Sequence, residues 1–397
     1  MMTQSRVRGA LAVGVVAALS LVGVGGSRAA SPADAVFMPG VDLAVVANLQ
    51  AMRQAPIYAK LDAMSKQNEQ LAAGAPGMSD LTELRDKLTR ITGLREEDLL
   101  GIRLAVDLDG IDFKQPEQTP FESLNLVMAS QLAKPLPLAK LEEAIRACPP
   151  ENEGGAKVEI ARLAHGKRQL LAVKNLSEEN QVICLTMAGE DRVLLAGTEK
   201  GVKGAVDRVD GGGAAGLAQE FGAAIGRPVA GSQMFLLFEP TAAMMEQLKA
   251  EIQADPAAAN GNPMAAAFAR IMQGLTGVSL GVNLADAMNV RTVVGVGSEA
   301  DAQQAKTLMD STVISMLNFS LAMLTGGQPM ALAQSLKTSV GPASTVVLEF
   351  AVNAQDLDIL GKALEKQAAA AAQMAAEAAE AATAVEEDAE APAPVAE

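Results

Sequence analysis

The chain of 397 residues has no tryptophan, one tyrosine, one histidine and two cysteines. A single histidine, His165 in the polar turn AHGKRQ, leaves imidazole-based catalysis and zinc coordination without the partners they need. Cys148 and Cys184 are too far apart for a C-x-x-C metal or redox motif. In an oxidising compartment they are candidates for a disulfide, and otherwise for two buried thiols. Few aromatics also mean that core volume must be filled differently, and the 19 methionines are a ready filler. Positive charge is scarce too: 32 Lys and Arg face 47 Asp and Glu, and no basic stripe is interleaved with aromatics. That balance argues against nucleic acid as a partner and against anionic lipid surfaces.

The N-terminus is organised differently. MMTQSRVRG carries Arg6 and Arg8, an apolar run follows from Ala10 to Val24, and small residues close the segment at GGSRAASPADA. This is the layout of a secretory signal peptide, residues 1–29, with cleavage after Ala29 or as late as Ala35. The apolar run falls short of the roughly 20 residues of a spanning helix, so the expectation is export to the periplasm or cell exterior without a transmembrane span in the mature chain. Losing Arg6, Arg8 and Arg28 moves the formal net charge from −15 to −18. The remaining chain of about 365 residues is long enough for two domains.

An internal repeat organises that length. LGIRLAVDLDG (Leu100 to Gly110) aligns with TGVSLGVNLAD (Thr276 to Asp286), with Gly101 and Gly277 in step 176 residues apart. RITGL answers RIMQGL upstream, each closing an amphipathic helix, and VDLAVVANLQ answers SQMFLLFEPT as a strand running into a helix. The strand-like run at Leu124 answers the one at Val290, and each leads into a further helix. The pattern predicts an α+β fold of two related lobes, each a mixed or antiparallel sheet with helices packed on one face. The first lobe covers 36–210, a connector 211–231 and the second lobe 232–366. Residues 367–397 form an Ala/Glu-rich helical extension and a disordered acidic tail.

Three motif matches dissolve in this frame. GVSLG, Gly277 to Gly281, has the letters of a serine-hydrolase nucleophile turn, but a helix precedes it and a strand follows, the reverse of the required order. Ser279 therefore sits in a straight strand, and its repeat partner is Arg103, a residue suited to an exposed strand face. GGGAAG, Gly211 to Gly216, follows a helix and not a strand, so it reads as a connector and not a dinucleotide loop. DLDGID, Asp107 to Asp112, lacks the fifth-position ligand of a calcium loop and reads as a turn. No catalytic residue, metal or cofactor is assigned.

The apolar stretch TLMDSTVISMLNFSLAML, Thr307 to Leu324, is the remaining feature. A helix apolar nearly all round is usually central in a core. The alternative is that Met309, Val313, Met316, Phe319 and Met323 line a groove for an apolar ligand or partner, since methionine surfaces adapt to varied shapes. Function is ranked accordingly. First comes an exported, non-enzymatic binding or structural protein with a protein or apolar small-molecule partner. A carrier of an apolar or lipid-like ligand comes second, and a carboxylate-based hydrolase third.

Overall fold

The computed structural model describes residues 33, 36–37, 40–64, 89–109, 111, 123–147, 158–175, 182–211, 232–254 and 271–363, with isolated positions as far as 373. The expected leader, Cys148, the connector beyond Gly211 and nearly all of the Ala/Glu-rich tail lie outside the described residues.

The strands are β1 (Leu43–Ala47), β2 (Leu99–Asp107), β3 (Asn125–Leu132), β4 (Val158–His165), β5 (Arg168–Asn175), β6 (Val182–Ala188) and β7 (Val193–Gly197), then β8 (Met234–Phe238), β9 (Gly277–Leu284), β10 (Ala287–Gly295), β11 (Lys337–Gly341) and β12 (Thr345–Asn353). The helices that matter here are α1 (Leu49–Arg53), α2 (Leu138–Ala147), α3 (Glu199–Gly211), α4 (Ala242–Ala254), α5 (Glu299–Leu308), α6 (Ile314–Thr325) and α7 (Ala331–Ser335). A π-helical turn, Met309–Val313, joins α5 to α6. The fold is α+β, and its sheet is antiparallel throughout, in the order β11-β12-β10-β9-β8-β1-β2-β3-β7-β6-β5-β4.

Two expectations need correction. The halves of the chain do not build separate sheets: β1 pairs with β8, so twelve strands run as one. Nor do the helices keep to one face. Side chains alternate along a strand, so Ala44 and Ala47 of β1 point to opposite sides. Ala44 joins a core with Ala105, Val127, Leu195 and Leu237, covered by Val202, Ala205 and Val206 of α3. Ala47 joins a second core with Ile102, Met234, Val282 and Val352, covered by Leu49 and Met52 of α1 and Leu332 of α7. On that same side α2 covers Leu132 and Leu194, and α5 covers Val346. Burial on both faces is why the strands read as continuous apolar runs and not as alternating ones.

The register repeats outward from the centre. Val45 lies opposite Leu236. On one side the rungs run Val45, Leu104, Met128, Ala196, and on the other Leu236, Leu280, Thr292, Leu348. Leu104 and Leu280 stand 176 residues apart, the offset already seen between Gly101 and Gly277. At Gly101 the reason for glycine is contact: a Cβ there would lie 3.0 Å from the Ala47 carbonyl oxygen of β1.

Candidate functional site

The serine of GVSLG is in β9, as its context requires, with Val293 and Leu237 on the neighbouring strands. It is fully buried and its Oγ has no hydrogen-bond partner, so the position is not the exposed face that Arg103 suggested. A nucleophile needs a base within hydrogen-bond reach. His165, at the end of β4, instead places Nε2 2.8 Å from an Asp207 oxygen of α3, and beside it Arg168 donates to Asp210 at 2.7 Å. The guanidinium holds the Asp210 carboxyl below its ordinary range. These contacts tie the β4–β5 hairpin to α3.

Cys184 is a free thiol buried on the α3 side of the sheet, and burial pushes its pKa up to about 11. Its proposed partner, Cys148, lies outside the described residues. A cleft of about 500 Å³ opens between α2 and β4, lined by Ala139, Glu142, Glu143, Arg146, Ala147 and Arg162. Both oxygens of Glu142 are taken, one by Arg146 at 2.8 Å and one by Arg162 at 2.6 Å, so this carboxylate already bridges the two arginines.

Carboxylates do gather at one end of the sheet. Strand pairing sets Leu43 opposite Val106, which brings Asp42 to Asp107 and Asp109, and one oxygen from each falls within 4.8 Å of the others. Burial, and then repulsion from Asp109, Asp107 and Glu239, raises the Asp42 pKa, against the pull of the Leu108 amide, which donates to Asp42 Oδ2 at 2.6 Å. The Asp107 carboxylate accepts from the Asp109 amide and, at 3.4 Å, from Asn125 Nδ2. Three carboxylates could hold a divalent cation through oxygen. Yet the other half of the sheet makes the same clamp without charge: Gln233 Oε1 accepts from the Leu284 amide, while Gln233 Nε2 donates to the Leu284 carbonyl at 2.8 Å. The neighbours there are Asn283 and Ala285. Closing a strand end explains Asp42 without an ion. Sequence reasoning weighed DLDGID alone and missed Asp42, whose place depends on register.

Comparison with protein families, with characterised proteins and with solved structures finds no match. Function has to be argued from this chain's own surface.

Among the described residues that surface has one apolar element. The expectation of a central core helix at Thr307 to Leu324 is overturned: Met316 is 65 %, Phe319 68 % and Met323 71 % exposed. Among the described residues only Ile183 joins them as a large exposed apolar side chain. The three recur at i, i+3 and i+7, one face of α6, while Leu321 on the opposite face packs against the sheet. Of the five residues expected to line a groove, Met309 instead packs against the core beneath α5, and the side chain of Val313 falls outside what the structure describes. Met316, Phe319 and Met323 make an outward stripe and not a cavity wall. From Ser311 to Leu336 the sequence has no charged residue.

The stripe is held in place at both ends. Asp310 accepts from Lys306 at 2.5 Å and from the Thr338 hydroxyl of β11, and both contacts pull its pKa down. At the other end Thr325 Oγ1 donates to the Leu321 carbonyl at 2.7 Å and the Gly327 amide donates to Ala322. Gly326 and Gly327 adopt positive φ, the conformation that lets glycine end a helix cheaply. Beyond them Met330 and Leu332 are buried again.

Proposed function

We propose that this is an exported, non-enzymatic binding protein whose contact surface is the outer face of α6. The observation that carries the reading is the fixed stripe of Met316, Phe319 and Met323 on an uncharged segment, since exposed apolar patches on otherwise soluble folds mark interaction sites. The test is a variant with all three residues changed to serine. It should lose most of the fluorescence of a bound anilinonaphthalene dye while its circular dichroism stays unchanged. Equal dye binding by both proteins would defeat the reading. Export rests on the N-terminal pattern, and an intact mass measured on protein from its native cell should lack residues 1–29 or 1–35.

We also infer that the two halves arose by duplication. The matching rungs around Val45 and Leu236 support this, as do the paired clamps of Asp42 on Leu108 and Gln233 on Leu284. The carrier reading keeps a narrower form, with an apolar ligand lying along α6 and not inside a cavity. Stoichiometric lipid in solvent extracts of the purified protein would favour it.

A further inference from the structure

The geometry points to a specific partner for α6: we propose that it lies in the interface of an uncharged, zwitterionic bilayer, with Met316, Phe319 and Met323 at the acyl-chain boundary. This rests on the binding role just proposed for α6. Four observations choose lipid over protein.

Charge comes first. A chain of net charge −15 presents a segment with none from Ser311 to Leu336, so the exposed polar groups of α6, Ser315, Asn318 and Ser320, are all neutral and offer a protein partner no charge to pair with. The surrounding acidity also turns away anionic headgroups, leaving a neutral surface.

Area is the second. Three side chains about two-thirds exposed offer on the order of 400 Å², about half of the ~800 Å² per partner that a stable protein interface buries. A second copy docking through this stripe alone would not hold. A bilayer needs no complementary shape and can cover the whole outer face.

Length is the third. Glu299–Thr325 is the one helix among the described residues that is long and apolar enough to cross a membrane by composition. It cannot do so here, because Ala302 and Ala305 of α5 are buried against the sheet. The exposed part is α6, 12 residues and about 18 Å, against ~30 Å of hydrocarbon. It can lie on a membrane but not span one.

The fourth is polar satisfaction. Ser311 Oγ donates to the Thr307 carbonyl at 2.8 Å, so this exposed hydroxyl is spent within the helix and enters lipid at low cost, while Thr325 is buried and stays out of it.

The absence of tryptophan supplies the assay. Phe319→Trp makes the stripe carry the only indole in the full chain. Mixed with phosphatidylcholine vesicles, its emission should shift to the blue and be quenched by brominated acyl chains. Adding Met316→Ser and Met323→Ser should cut that quenching several-fold, and replacing half the lipid with phosphatidylglycerol should weaken it. Emission unchanged by vesicles would overturn the lipid proposal. So would a blue shift without vesicles that tracks concentration-dependent sedimentation, which would make the partner a second copy. Either result with dye binding intact leaves the α6 surface standing, whereas loss of both removes it.

Discussion

Asp356 offers the most demanding test of how the structure is held together. It is 1 % exposed, and its two oxygens accept from three backbone amides: Ala331 at 2.7 Å, Leu332 at 3.1 Å and Asn353 at 3.1 Å. The first two are orphan donors at the start of α7, whose own N-cap, Met330, has no side chain able to accept them. Asp356 therefore caps α7 from 25 residues away and pins it to the end of β12, beside the return from α6. Hydrogen bonds to a charged group contribute about 1.5–3 kcal/mol each and are not additive, so Asp356→Ala should cost about 4 kcal/mol. Asp356→Asn keeps one acceptor oxygen but sets an NH₂ against amide donors, and should cost about 2 kcal/mol. Urea unfolding followed by circular dichroism gives both numbers, provided the m-values agree with the parent. Hydrogen exchange should place the damage, with protection lost first at Ala331 and Leu332. If Asp356→Ala costs less than 1 kcal/mol, or if Asn proves worse than Ala, the capping argument is wrong.

Three more outcomes follow from the same reasoning. Ser279→Ala removes a buried hydroxyl without a partner and should raise stability by about 1 kcal/mol in urea titration, whereas a loss would mean that Oγ is bonded. Gly201→Ala should cost about 3 kcal/mol, because its Cβ would sit 2.2 Å from the Leu126 oxygen and 2.7 Å from the Leu126 carbonyl carbon, both main-chain atoms of β3 that cannot swing away. Asp42→Asn should add ~0.5 kcal/mol at pH 7. The raised pKa means that the folded state holds the Asp42 proton more tightly. That contribution is present at low pH and lost as pH rises through the folded pKa, so the advantage of Asn should vanish on acidification. Calcium should leave both midpoints where they are; a midpoint that rises in the parent only would make the carboxylates a cation site.

Local pattern made much of this legible. The run beginning at Leu100 became β2, the one at Leu124 became β3, and the one at Val290 fell within β10. Helix-then-strand order was enough to disqualify GVSLG. What pattern could not supply was anything that depends on which strand lies beside which. β11, KTSVG, is short and polar enough to read as loop, and it is a strand only because β12 offers it an edge. Asp42 joins Asp107 through register alone. α6 was misjudged for a related reason: apolar composition says that a helix can be buried, while its burial here depends on whether anything packs outside it, and among the described residues nothing does at Met316, Phe319 or Met323.

Where the halves diverge is then the place to look for function. Under the inferred duplication, β6 and β7 correspond to β11 and β12, because Ala196 lies opposite Leu185 as Leu348 lies opposite Thr338. Between the helix that follows the third strand and these two strands, the first half inserts the β4–β5 hairpin and the second inserts the π turn, α6 and α7. The hairpin extends the sheet and is tied down by His165 and Arg168 to α3, which accounts for it structurally. The second insert does not extend the sheet. It carries a stripe of large apolar side chains outward at about two-thirds exposure, braced by Asp310 at one end and by the Asp356 cap at the other. Bracing an element so that it stays exposed fits the proposed contact surface better than a fault in packing, and under the inferred duplication it puts that surface on an insert that the other half lacks.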